Sequence, residues 1–169
     1  MIALDVNPIR TKRDARCERI WRLLEAIPDP EIPAINIVEL GIVRAVIWGE
    51  FPEIAITPTY VGCPALDVIR EDIAALLKSA GFANARVVTK LSPAWTTDWI
   101  SAETKAKLHA YGIAPPTPCA HQARQFAAVS CPRCGSTETE LVSEFGATPC
   151  KAAMRCISCL EPFERFKCV

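Results

Sequence analysis

Two C-x2-C pairs, Cys131-Pro132-Arg133-Cys134 and Cys156-Ile157-Ser158-Cys159, stand 21 residues apart near the end of a 169-residue chain. Each pair bends the backbone so that two thiolates converge, and two such knuckles on facing hairpins supply the four sulfurs that tetrahedral zinc prefers at ~2.3 Å. A stretch of roughly forty residues cannot bury enough apolar surface to fold alone, so the metal is expected to supply much of its folding free energy. Residues 128–169 therefore read as a zinc-ribbon module, with short strands near 138–144, 152–155 and 162–167. Cys150 and Cys168 are left over as reactive spares or additional ligands. An iron–sulfur cluster on four of these six thiolates is the alternative that spacing leaves open, and closed tetrahedral geometry favours zinc.

Nine cysteines, six of them from Cys131 onward, accompany a balance of 19 acidic and 19 basic residues. Balanced charge leaves no excess to neutralise phosphates, so nucleic acid is not an expected partner. The opening Met1-Ile2-Ala3-Leu4-Asp5 becomes charged at once and offers neither a secretory apolar region nor a membrane span. A cytoplasmic location follows as an expectation, and there cysteines serve metal ligation or thiol chemistry rather than a disulfide framework.

Upstream of the ribbon the chain reads as an α+β domain, residues 1–112, with helices packed on a small sheet. Ile20, Leu23, Leu24 and Ile27 share one face of an opening helix that Pro28 ends. The prolines of Asp29-Pro30-Glu31-Ile32-Pro33 exclude helix and hold two carboxylates in a rigid, extended loop. Such a pair suits hard-metal binding or base chemistry, while its ordinary use is to satisfy local backbone donors. A hairpin over 42–57 comes next, then a helix bearing Leu66, Ile69, Ile73, Leu76 and Leu77, and a third strand over 85–91.

Strand passes to helix at Gly62-Cys63-Pro64, which puts Cys63 at or beside the helix N-cap. Free N–H groups and the helix dipole there favour thiolate, so a lowered thiol pKa is expected, as is a role as nucleophile or soft-metal ligand. The bland reading is a small buried cap residue. Trp95 and Trp99, four apart around Asp98, are either core or an exposed docking patch. Pro115, Pro116 and Pro118 mark a linker over 113–127 that excludes helix and ladder alike.

Several of these stretches together are familiar. Asp29-Pro30-Glu31-Ile32-Pro33, Glu39-Leu40-Gly41-Ile42-Val43, Thr57-Pro58-Thr59 and Gly62-Cys63-Pro64 resemble the metal–sulfur cluster assembly domain of cytosolic iron–sulfur maturation factors. With the segment from Ser92 to Ile100, Cys131-Pro132-Arg133-Cys134-Gly135, Glu161-Pro162-Phe163 and Phe166-Lys167-Cys168, the chain resembles the PaaD family of bacterial phenylacetyl-CoA ring-1,2-epoxidase systems. The run from Gly146 to Ala153 and the aromatic turn Trp48-Gly49-Glu50-Phe51 depart from that pattern.

The resemblance implies an iron or iron–sulfur assembly factor in aerobic phenylacetate breakdown, not itself an enzyme. Cys63 would be a transient ligand, with Asp29 and Glu31 beside it, and zinc a structural ion. The implied partners are the epoxidase reductase and oxygenase subunits; self-association into a homodimer is left open. The alternative is a non-catalytic structural component that docks those subunits through the segment of Trp95, Asp98 and Trp99 together with the ribbon. A thiol oxidoreductase is disfavoured, because two paired knuckles suit a metal better than a single redox pair.

Overall fold

Helix α1 (Ala15–Leu24) opens the structure, a computed structural model that describes residues 14–116 and 129–168. Asp14 caps it by accepting the Arg16 N–H at 2.9 Å. Residues 11–13, where the expected helix begins, lie outside the described residues. Ile20, Trp21 and Leu24 form its buried stripe. Strands β1 (Val43–Trp48) and β2 (Pro52–Ile56) make the expected antiparallel hairpin, with Val46 opposite Ile54 and a register shift between Val43 and Ala45. Helix α2 (Ala65–Ser79) carries the chain across to β3 (Arg86–Thr89), which pairs parallel to β2. A parallel partner demands such a crossover, and the helix then buries its apolar face on the sheet. Ile69, Ile73 and Leu77, each four apart, are at most 1% exposed beside Ile54 and Ile56 at 0%.

The described chain divides into two compact units between Trp95 and Thr96. That division falls ahead of the boundary expected near residue 112. In the second unit α3 (Ala102–Ala110) is capped by Ser101, whose Oγ accepts the Thr104 N–H at 3.1 Å. β4 (Ile113–Ala114) runs parallel to β7 (Pro162–Phe166), followed across the sheet by β6 (Lys151–Cys156) and β5 (Thr139–Ser143). The proline-rich composition predicts no ladder here, and the structure corrects that expectation. The prolines begin only at Pro115, so Ile113 and Ala114 keep their N–H groups and bury at 5% and 1% exposure. Residues 117–128, most of the expected linker, lie outside the described residues. Among the described residues no helix is long and apolar enough to cross a membrane.

An ion pair closes the β6–β7 end of this sheet. Lys151, 3% exposed, reaches Glu164 Oε2 at 2.6 Å, while Glu164 Oε1 accepts the Ala147 N–H at 2.7 Å. Gly146 lies so close that an added Cβ would meet Glu164 Oε1 at 2.5 Å, which accounts for the small residue in this bent run. Glu164→Gln keeps the shape but strands a buried ammonium. Breaking a buried pair costs about 3–5 kcal/mol, and Glu164, whose side chain is 27% exposed, belongs at the lower end. Urea unfolding of the metal-loaded variant should show a loss of about 3 kcal/mol in the ribbon transition.

Candidate functional site

Both knuckles are built alike. Cys131 N–H donates to Ser136 O and Gly135 N–H to Cys131 O, each at 2.9 Å, and Cys156 N–H donates to Glu161 O at 2.9 Å at the matching place. The residue after each second cysteine turns left-handed, Gly135 at φ 76° and Leu160 at φ 63°. Only glycine takes that conformation without cost, so the second knuckle carries local strain at Leu160.

The four knuckle sulfurs lie within 4.8 Å of one another, with Cys131 to Cys159 at 3.8 Å and Cys134 to Cys156 at 3.5 Å. Sulfurs ~2.3 Å from a tetrahedral ion stand about 3.8 Å apart, so the donor set and its spacing fit a four-thiolate metal site. Cys131 and Cys156 are fully buried, Cys159 is half-buried and Cys134 is exposed. The Cys159 N–H directed at Cys156 lowers that thiol to about 7. Cys159 is pushed up to about 12: its bond from the Glu161 N–H favours thiolate, but burial and the thiols of Cys134, Cys156 and Cys131 outweigh it. Four ionised sulfurs this close require a cation between them.

Cross-knuckle bonds brace the cluster. Arg133, beside Cys134, pairs with Glu161, two residues past Cys159. On the other side the Glu138 N–H donates to Ser136 Oγ at 3.1 Å, Ser136 and Ser158 hydroxyls meet at 2.7 Å, and Ser158 Oγ returns to Glu138 Oε2 at 3.0 Å. Sequence reasoning missed these residues. The only signal for them is position, since each lies within or just beyond a knuckle. Cys150 and Cys168 stand outside the four-sulfur group: Cys150 is buried with its Sγ 3.0 Å from Thr148 Oγ1, and Cys168 is disulfide-bonded, which corrects the expectation of a spare thiol or further ligand there, since a sulfur in a disulfide offers no thiolate.

In the first unit Cys63 occupies the loop before α2, with Pro64 as the N-cap residue. The Tyr60-Val61-Gly62-Cys63 turn closes through Cys63 N–H to Tyr60 O at 3.3 Å, and Gly62 at φ 85° supplies the positive φ such a turn needs. Tyr60 is thereby folded back onto Cys63. The Ala65 N–H and the hydroxyls of Tyr60 and Thr59 favour the thiolate, while burial and the Glu31 charge oppose it. The helix donor acts in the expected direction. The expected lowering of its pKa is overturned: burial pushes the half-buried thiol up, and the Glu31 charge adds to the rise, outweighing the donors.

The acidic loop divides its labour. Asp29 is 4% exposed, and its Oδ1 accepts the N–H groups of Glu31 at 3.0 Å and Ile32 at 2.8 Å. Its own N–H donates to Ile35 O at 2.9 Å. This carboxylate shapes the turn, and the Glu31 charge bears on the Cys63 thiol. Trp95 is 3% exposed and donates its indole N–H to Leu40 O at 3.0 Å, so it is a core residue and not part of a docking patch. Asp98 is exposed and Trp99 half-exposed, on the single 3-10 turn Thr97–Trp99.

Known proteins resemble both units. Residues 17–88 match the family model described as iron–sulfur cluster assembly protein, and residues 115–167 the model described as PaaD zinc beta ribbon domain. The chain is 49% identical over 151 residues to a protein of Escherichia coli K12 described as the D component of a putative 1,2-phenylacetyl-CoA epoxidase, spanning 89% of this chain and 92% of that protein. It is 34% identical over 94 residues to the Fe-S protein maturation auxiliary factor of Porphyromonas gingivalis, 54% of this chain and 89% of that one. A crystal structure of a DUF59 domain of unknown function from Bacillus anthracis superposes with a TM-score of 0.51 at 31% identity, covering 56% of this chain and 92% of that chain.

Proposed function

Because this chain belongs to the PaaD family and carries an iron–sulfur assembly domain, we propose that it is a maturation factor that delivers iron or an iron–sulfur unit to the phenylacetyl-CoA epoxidase system. The observation that carries this reading is the Cys63 sulfur, half-buried just before helix α2 and under the influence of the Glu31 charge, in a different unit from the four knuckle sulfurs.

The site's electrostatics suit a carrier. Burial and the Glu31 charge both oppose a bare thiolate, so without cargo Cys63 holds its proton. An incoming cation reverses both effects, because it neutralises the buried charge and is attracted by the same carboxylate. Loading releases the thiol proton to solvent or to Glu31, and release of the cargo restores it. One sulfur and one carboxylate are too few to enclose iron, so a recipient's ligands can complete the shell and take the metal. Asp29 acts on this site through the turn that presents Glu31.

The knuckle site is assigned to zinc in a structural role, held by Cys131, Cys134, Cys156 and Cys159. Asp98 and Trp99 remain candidates for contact with the reductase or oxygenase subunits. Maturation and docking roles differ after loading. Epoxidase components produced with this chain and then purified away from it should keep full metal content and turnover. A continuing requirement for the chain once the centres are filled would establish the docking role in its place.

A further inference from the structure

Apolar residues stand exposed on both sides of Cys63, and neither the core nor the cargo site uses them. Val61 is 82% exposed at the second position of the Tyr60-Val61-Gly62-Cys63 turn, and Gly62 and Pro64 are exposed as well, while Cys63 between them is half-buried. A Cβ built on Gly62 would meet nothing within 4 Å, so the approach over this loop is open. The apolar surface continues along α2. Pro64, Val68 at 47% exposure and Ala75 fall in one row of the helix, away from the buried Ile69, Ile73 and Leu77. Glu71 and Asp72 lie three and four residues past Val68 and so flank it on the helix surface. Both are exposed, and neither has an ion-pair partner among the described residues. The nearest cation in sequence, Arg70, is two residues past Val68 and therefore on another face.

A recipient that takes cargo from Cys63 has to pass over the exposed residues on either side of it. We infer that Val61, Gly62 and Pro64, with the Val68 row of α2, form the docking surface for that recipient, a protein whose contact face is apolar at its centre and bears lysine or arginine at its edge. This rests on the carrier reading of Cys63. An apolar centre that loses water inside a charged border is the ordinary anatomy of a specific interface, and the border steers encounter. Glu71 and Asp72 choose the occupant. A second copy of this chain would bring the same two carboxylates to a shared interface with no cation there to meet them, and a wholly apolar partner would desolvate both without compensation. A basic border pairs them.

Binding of the zinc-replete, full-length protein, free of iron, to the purified epoxidase reductase and oxygenase components tests the inference, measured by biolayer interferometry at low and high salt. The wild type should bind one of them, and less tightly as salt rises. Val61→Ser with Val68→Ser should raise the dissociation constant about tenfold. Glu71→Gln with Asp72→Asn should slow association and flatten the salt dependence. All four side chains are exposed, so both variants should fold as the wild type does, with unchanged thermal melting as the check. Failure of the wild type to bind either component overturns the inference, as does wild-type affinity in the valine variant or wild-type salt dependence in the charge variant. Iron transfer separates this surface from the carrier reading. The valine variant should load as much iron as the wild type and pass it on at the same maximal rate, but should need about tenfold more recipient to reach it. A wild type that holds no iron beyond the ribbon sinks the carrier reading, while weakened binding of the valine variant still upholds the docking surface.

Discussion

Stripping the metal with a chelator, or replacing Cys156 by serine, should unfold residues 129–168 and leave residues 15–95 folded. One buried cluster of the ribbon comprises Ala114, Val129, Met154 and Phe163 around Cys131 and Cys156, and two of its members are metal ligands. Structural zinc contributes about 10–16 kcal/mol in comparable small modules, more than such a cluster can replace. The first unit has its own core in Ile20, Trp21, Leu24, Ile54, Ile56, Ile69, Ile73 and Leu77, all at most 2% exposed. Hydrogen exchange on the whole chain separates the two, with protection lost over β5 to β7 and kept over α2 and β2. Acid acts in the same direction. Each ligand must shed its proton to bind, so protons compete with the ion and metal affinity drops as pH falls. Retained protection in β6 after complete metal removal would contradict the ribbon's dependence on its ion.

Cys63→Ser should leave the fold intact and abolish delivery. The substitution is close to isosteric at a half-buried position, and its effect on stability should stay within about 1 kcal/mol. Its effect on chemistry is larger, because a serine hydroxyl does not ionise near neutral pH and binds soft metals poorly. Epoxidase components matured in cells carrying this variant should contain no more iron than those from cells lacking the chain. Glu31→Gln should give an intermediate loss, since it removes the carboxylate's attraction for the cation while leaving the sulfur.

How far the sequence foretells this site depends on whether the governing interaction is local. The strand-to-helix break at Gly62-Cys63-Pro64 is legible because glycine and proline punctuate the backbone by themselves, and helix α2 follows as its spacing predicts. The direction of the thiol's pKa is not. Local donors favour thiolate, while the opposing effects are burial, which the whole fold sets, and the Glu31 charge, which comes from a loop about thirty residues upstream. Asp29 and Glu31 look equivalent as letters. Their separation into a turn-former and an acid whose charge bears on the thiol appears only once Asp29 Oδ1 is seen to hold two backbone N–H groups.

The tryptophans teach the same lesson. Helical spacing would set Trp95 and Trp99 together, but the helix there is one 3-10 turn, Thr97–Trp99, that begins after Trp95. The four knuckle cysteines are readable because C-x2-C spacing fixes geometry within four residues. The brace of Ser136, Ser158 and Glu138 is not, since serine and glutamate are ordinary surface residues until the fold sets them 2.7 to 3.0 Å apart.

Iron bound by the zinc-replete protein, with wild type and Cys63→Ser loaded side by side without oxygen, reports on the carrier role with the fewest intervening steps. The account predicts zinc at one equivalent in both proteins. Iron should appear only in the wild type, where Cys63 should resist alkylation until that iron is removed. Equal iron in the two proteins, or a Cys63 that alkylates at the same rate with and without iron, would contradict it.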